Sequence, residues 1–400
     1  SICLLVFLPL NLESFAYRLL SAFPVHLHRK SNEKIHRIMK IKNIFFAAIL
    51  VLAGFSCSME DDAIMNDVEK GIEEATEAYT VLDFGVAFNE MATKASTTVV
   101  PGEDRPATGD ENNDEKKISE VSVFLLEDGK VIGILIPQNR NQVSSNSDGS
   151  ITLKDLKFVT KYKTNRTLEA HVVINGNQFL KNINIGDAQS ALNQQISGCL
   201  SADQLIKYGS TRIVFGKDIT NSYSSPSVAE NNPTTILVKV SHVAARLDFS
   251  QFDVTLKGFE GNPTVVFDEA KFVNLQQNGK IVEGDASVNV KDGAFLNRSN
   301  RIGTKWTDMG TAYGYANQYK QDSEMNTALY VKCTVDGRTF EKTYPINPAG
   351  ITKEVDHNGI KGGYLYDIKV RWTITPDWGD STIEFYTRDW VHNSIPEIVL

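Results

Sequence analysis

Four hundred residues suffice for two domains with proper cores and exceed what one ordinary sandwich needs. An apolar fraction of 42% and a charged fraction of 22% are those of a globular protein, which excludes disorder throughout. The net charge is −8, but residues 1–56 hold seven Lys/Arg against two Asp/Glu, which leaves 34 basic and 47 acidic groups, a net of −13, in the remainder. So acidic a remainder, with no basic stripe, excludes nucleic acid as a partner, because phosphates need Lys/Arg neutralisation.

The first organised segment runs from Met39 to Cys57. Lys40 and Lys42 come first, an apolar core follows over residues 44–52, and Ala53, Gly54 and Ser56 precede the cysteine. That is the layout of a secretory signal. Its apolar core is about half the ~20 residues that span a bilayer. The cysteine at the cleavage point resembles a bacterial lipobox, with Ser56 as the small residue before it; Phe55 and Gly54 depart from the strict pattern. Cys57 is therefore the expected lipidation site, and residues 39–56 the lipoprotein signal peptide. Glu60, Asp61 and Asp62 resemble the surface-export signal of Bacteroidales lipoproteins. Residues 1–38 read as an overlong start or a leader.

Residues 57–94 read as a propeptide, acidic at first and without a sustained apolar stripe. At its end Leu82, Phe84, Val86 and Phe88 alternate with smaller or polar residues, the period of a half-buried strand. Residues 95–117, rich in Thr, Pro, Gly, Asp, Glu and Asn, read as an exposed loop. A loop of that length next to a core strand is unusual, because structureless loops beyond about 12–15 residues mark function or linkage.

Residues 118–233 read as an N-terminal β-sandwich. Strands are expected at 121–126 and 131–136, joined through Asp128-Gly129 as a hairpin turn. More strands follow at 151–153, 156–160, 168–174 and 212–215, with short helices near 187–196 and 202–208. The polar stretch 221–233 reads as the domain boundary. Residues 234–380 then supply a second set of strands, including 245–249 and a hairpin through Asp336-Gly337. Many short strands with Gly, Asn and Asp turns point to an all-β protein of two tandem sandwiches with short helices. The terminal run 381–400 carries Ile383, Phe385, Trp390, Ile398 and Leu400, with Pro396 interrupting its ladder.

Ile236 to Phe249, with its Ala245-Arg246-Leu247-Asp248 turn, resembles the segment that opens the second domain of Bacteroidales fimbrillins. Leu168 to Gly176, a strand ending in Asn175, and Lys361 to Val370 are similar to other segments of that family. The resemblance covers roughly residues 39–400. It implies transthyretin-like sandwiches, export as a lipoprotein to the outer membrane, and a structural role in surface fimbriae that supports adhesion. It also implies a mechanism. A trypsin-like protease removes the first strand, here Leu82, Phe84, Val86 and Phe88, and a donor strand from another fimbrial subunit fills the groove. Lys94 is the expected cut site, with Arg105 as the alternative; Arg105 precedes Pro106, which such enzymes cut badly. The donor is expected in residues 382–400, through Ile383, Phe385, Trp390, Ile398 and Leu400. The plainer account of that run is an edge strand of the second domain.

The sequence contains no GxGxxG or GxxxxGK[ST] phosphate loop, HExxH or GxSxG, so no enzyme activity and no cofactor are expected. His171, His242 and His357 read as structural histidines. Asp110/Glu111 and Asp114/Glu115 are placed in a flexible loop, where burial cannot tune them. Residues 145–149 echo a calcium loop but lack its first Asp and terminal Glu. Cys199 and Cys333 fall in different domains and are not expected to pair. Two rival readings share the export signal. One is a surface glycan-binding lipoprotein, for which Trp306, Tyr313, Tyr315 and Tyr319 are the candidate aromatic face. The other is a fimbrial anchor or tip subunit.

Overall fold

The computed structural model describes residues 77–88, 113–147, 150–297, 301–348, 357–377 and 379–389. Strands dominate. β1 is Tyr79–Phe88, followed by β2 (Val121–Glu127), β3 (Lys130–Leu135), β4 (Val143–Ser145), β5 (Ile151–Lys161) and β6 (Thr167–Ile174). The short helix α1 (Asn177–Leu180) and strand β7 (Gln195–Ser197) lead to β8 (Lys207–Val214). Helix α2 (Pro226–Glu230) then precedes β9 (Thr234–His242).

These strands form one eight-stranded sheet in the order β3-β2-β6-β8-β9-β1-β5-β4, with β7 outside it. Between β8 and β9 only Lys207 with His242 and Tyr208 with Ser241 are paired, so the sheet has a narrow seam there. Gly209 sits at that seam because nothing larger fits: a Cβ would lie 1.8 Å from the Lys239 carbonyl oxygen. Side chains from both sides of the seam meet in one core, with Leu82, Phe84 and Val86 of β1 against Val123, Leu168, Val172 and Val238.

Local turn chemistry behaves as the sequence predicts. Asp128 and Gly129 both take positive φ (50° and 71°), and β2 and β3 pair as a hairpin across them. Asp336 and Gly337 do the same at 46° and 79° between β18 (Ala328–Val335) and β19 (Arg338–Pro345). The two strands expected at 151–153 and 156–160 are one strand, β5. Its register against β1 jumps between them, from Leu153 opposite Phe84 to Phe158 opposite Leu82, and Asp155 takes φ 58° inside the bulge.

The expected boundary before residue 234 needs correction. β9 pairs in parallel with β1 over seven residues, Leu82–Thr234 through Phe88–Val240, so it belongs to the first sheet. The polar stretch before it is not a bare linker either. It folds into α2, whose N-cap Ser225 accepts from the Val228 N–H and whose Ala229 is fully buried.

The second set begins with β10 (Ala245–Leu256) and β11 (Val265–Val273). Short strands β12 (Leu275–Gln276), β13 (Asn278–Lys280), β14 (Val290–Lys291), β15 (Phe295–Asn297) and β16 (Arg301–Ile302) precede β17 (Lys305–Gly314). β18 and β19 are followed by β20 (Tyr364–Ile374) and β21 (Gly379–Asp389). Four strands run β17-β10-β20-β21, and another sheet runs β15-β11-β18-β19 with β16 on β11. Their core centres on Phe252, which stacks on Trp306 at 5.3 Å and meets Trp372 edge-on at 5.1 Å. A third cluster joins the two sets through Leu192, Ile206, Ile281, Tyr315 and Leu365, and β7 pairs with β13. Among the described residues no helix is long and apolar enough to cross a membrane.

Candidate functional site

β1 is the interior strand whose chain continues into the loop expected to be cut. On one side it pairs antiparallel with β5, and on the other it pairs parallel with β9. Leu82, Phe84 and Val86 are fully buried and Phe88 nearly so, as the alternation predicts. Burial goes further than the alternation shows, since Thr80, Val81 and Gly85 are buried too. Helix α2 packs against β1 and β5, and Tyr79 exchanges two backbone hydrogen bonds with Tyr223, both 2.8 Å. At Gly85 a Cβ would come within 3.2 Å of both the Ile151 carbonyl oxygen and Leu237 Cδ1, so the groove leaves little room for a side chain there. Two polar atoms of β1, Thr80 Oγ1 and Asp83 Oδ1, are buried without a hydrogen-bond partner, which is costly in a dry site. At the exposed start of the strand Lys161 pairs with Glu77. Its hydrogen bond, then that from Tyr79, holds the Glu77 carboxyl below its usual range.

Beyond residue 112 the chain is firmly held, which overturns the expectation of an exposed loop through residue 117. Residues Asn113–Lys116 form a 3-10 turn, and Glu115 is fully buried. Glu115 accepts from Arg246 Nη1 at 3.0 Å and from the Tyr313 hydroxyl at 2.5 Å. Arg246 Nε also donates to Asp248 Oδ1 at 2.9 Å. Burial raises the Glu115 pKa, with the Arg246 charge opposing it. At Arg246 burial works against the charge, but Asp248 and Glu115 outweigh it and hold the pKa above the usual value. The Ala-Arg-Leu-Asp segment is thus strand, not turn: Arg246 and Asp248 lie two apart on β10 and so share a face.

Asn175 makes a second anchor. It takes φ 57° at the end of β6, and its Oδ1 accepts from Ser119 N–H, Ser119 Oγ and Glu120 N–H at 2.9, 3.0 and 3.3 Å. Its Nδ2 donates to the Lys117 and Leu205 carbonyls at 2.9 and 3.2 Å. Next to it in the sheet, Lys207 is fully buried, and burial pulls its pKa down to about 7, with Glu115 opposing. Glu115 is therefore not the flexible-loop acid that the sequence suggests, and Lys207 is a residue that the sequence does not single out. A lysine flanked by Leu205, Ile206 and Tyr208 is the available signal; the helix expected to residue 208 is instead a 3-10 turn that stops at Gln204, and β8 starts at Lys207.

The remaining candidates are not brought together. His171 Nδ1 lies 2.7 Å from the Tyr208 hydroxyl and His357 Nε2 lies 2.8 Å from that of Tyr366, while His242 is buried on β9. Trp306 and Tyr315 are core residues, Tyr313 donates to Glu115 and Tyr319 is half-buried, so the four aromatics do not make one exposed face for a glycan. Cys199 and Cys333 are both free thiols. Ile383 and Phe385 lie on β21, opposite Val370 and Ile368 of β20, which makes 379–389 an edge strand of the second set. Cys57, Lys94, Arg105, Trp390, Ile398 and Leu400 lie outside the described residues.

No family model matches the chain, and no curated protein matches it. Solved structures do. A candidate cell adhesion protein from Parabacteroides distasonis superposes with a TM-score of 0.53 at 17% identity, covering 79% of this chain and 99% of that one. A fimbrilin (fimA) from Porphyromonas gingivalis gives a TM-score of 0.44 at 15% identity over 78% and 98% of the two chains. A tip fimbrial protein from the same organism gives 0.45 at 11% identity over 78% and 100%. The chain has the fold of the candidate cell adhesion protein from Parabacteroides distasonis, and its structural neighbours include Bacteroidales fimbrial subunits.

Proposed function

We propose that the chain is a structural subunit of surface fimbriae, built from two transthyretin-like sandwiches and exported as a precursor lipidated at Cys57. Proteolysis at Lys94, or at Arg105, separates β1 from the segment held by Glu115 and Asn175. β1 then leaves, and a strand from a neighbouring subunit takes its place, so that subunits polymerise into a fibre that supports adhesion.

The observation that carries this reading is the position of β1. It fills a slot between β5 and β9 and buries Leu82, Phe84, Val86 and Phe88 in the first core. Its departure would bare two strand edges and an apolar trough together, the surface that strand addition satisfies. The chain on the far side of the loop is pinned independently, through Glu115 to Arg246 and through Asn175 to residues 117–120. A cut in the loop therefore releases the strand without releasing the rest.

The donor in this reading is the C-terminal run, through Ile383, Phe385, Trp390, Ile398 and Leu400. Among the described residues β21 is bonded to β20 alone, and an edge strand is cheaper to give up than an interior one. Deleting residues 382–400 tests the assignment. Processing and surface display should persist while polymer growth stops. Fibres of normal length, or a monomer that unfolds, would place the donor elsewhere and leave β21 as a plain edge strand. A subunit that keeps its lipid after assembly would instead be an anchor, which the mature N-terminus reports directly.

A further inference from the structure

Lys207 has no part in strand exchange, and it sits beside Asn175, whose hydrogen bonds hold residues 117–120. Lys207 stands directly opposite Ile174 in the antiparallel β6–β8 pair, and Asn175 is the next residue along. Both side chains are enclosed, with Lys207 at 0% and Asn175 at 6% exposure. Lys207 Nζ reaches the Leu205 carbonyl at 3.4 Å, and Asn175 Nδ2 donates to that same carbonyl at 3.2 Å. The two nitrogens therefore converge on one acceptor atom.

Each group is conditioned for reaction with the other. A contact at 3.4 Å is at the far end of hydrogen bonding, so an ammonium at this site is poorly compensated for its lost water. Burial lowers the Lys207 pKa to about 7, which leaves a substantial share of the amine neutral and nucleophilic at physiological pH. On the other side, the Asn175 carboxamide oxygen already accepts from Ser119 N–H, Ser119 Oγ and Glu120 N–H. Three donors on one oxygen polarise the carbonyl and are in place to hold the negative charge that builds when a nucleophile adds to Cγ. The Asn175 backbone, at φ 57°, and the β6–β8 pairing hold the two residues side by side, so their condensation is an intramolecular step.

We propose that Lys207 and Asn175 are a self-modification site, at which the lysine amine and the asparagine carboxamide condense into an intramolecular isopeptide bond. The neutral Nζ adds to Cγ, and the oxyanion rests on Ser119 and Glu120. The Cγ–Nδ2 bond then breaks, and Nδ2 leaves as ammonia with the proton that Nζ gives up. A C–N bond is made and a C–N bond is broken; nothing is oxidised or reduced, and no cofactor is needed. The product is a covalent rung between β6 and β8, fastened at the residue that also grips residues 117–120. Such a rung resists pulling along the strand without relying on a hydrogen-bond ladder.

Intact-mass spectrometry of the purified, folded chain tests this without reference to fibre assembly. The expected mass is that of the sequence less one ammonia. Tryptic digestion should yield a branched peptide joining the Asn175 and Lys207 segments, with no cleavage after Lys207. Lys207→Arg should restore the full sequence mass, because a guanidinium is not a nucleophile at this pH. A wild-type chain at its full sequence mass overturns the proposal. So does an ammonia loss that survives in Lys207→Arg, which would place it in a succinimide between Asn175 and Gly176.

Discussion

Glu115 accepts a hydrogen bond from Arg246 Nη1 at 3.0 Å, across 131 positions of sequence. One partner sits in the 3-10 turn at Asn113–Lys116, and the other lies on β10, which opens the second set of strands, so the pair ties the two sets together. Both are almost wholly buried. Removing one partner leaves the other as an uncompensated buried charge. Arg246→Ala should therefore cost about 3–5 kcal/mol, read as a lower denaturant midpoint at unchanged slope. A loss below about 1 kcal/mol would mean that the pair behaves as a surface ion pair.

Phe84 is the largest side chain that β1 buries completely in the first core. Phe84→Ala should destabilise the uncut protein by about 3–5 kcal/mol and hasten loss of the strand after cleavage. Equilibrium unfolding measures the first effect, and the rate at which the cut fragment dissociates measures the second. An unchanged dissociation rate would separate strand fit from strand release.

His171 gives the fold an acid limit. Burial lowers its pKa from 6.5, with Glu169 opposing. As pH falls through the unfolded value, the unfolded imidazole takes up a proton before the folded one does. Stability present above 6.5 is thus lost towards the lower folded value. His171→Gln should flatten this dependence between about pH 7.5 and about pH 5.5. Parallel urea titrations at the two pH values decide it, and an equal slope in wild type and variant would assign the acid sensitivity elsewhere.

Cys57→Ala should leave the precursor without lipid and block assembly, because the segment Ala53 to Cys57 is the route to the outer membrane in this reading. Metabolic labelling with an acyl probe checks it. Equal labelling of the variant would remove Cys57 from the export pathway.

What the sequence disclosed is local. The alternation of Leu82, Phe84, Val86 and Phe88 marks β1 because strand period is written in neighbouring residues. Asp128-Gly129 and Asp336-Gly337 mark their hairpins because positive φ selects those residue types. The misplaced features depend on distant partners. The polar stretch before residue 234 suggests a boundary that puts β9 in the second domain, because its parallel neighbour, β1, lies far upstream in sequence. Glu115 looked like one more loop acid because its partners, Arg246 and Tyr313, are remote in sequence. Trp306 and Tyr315 looked available for a ligand until packing placed them in the cores with Phe252 and Ile206.

Replacement of β1 is the claim on which the functional reading stands, and controlled cleavage reaches it directly. Purified subunit is digested with trypsin, then followed by gel electrophoresis and mass spectrometry, with and without an excess of a synthetic peptide spanning residues 79–88. Cleavage at Lys94 or Arg105 should release β1 and give ladders of polymer, and the peptide should suppress them by reoccupying the slot between β5 and β9. The variant Lys94→Ala with Arg105→Ala should stay monomeric throughout. A cut subunit that keeps β1 and remains a monomer, or a double variant that forms the same ladders, would contradict strand replacement.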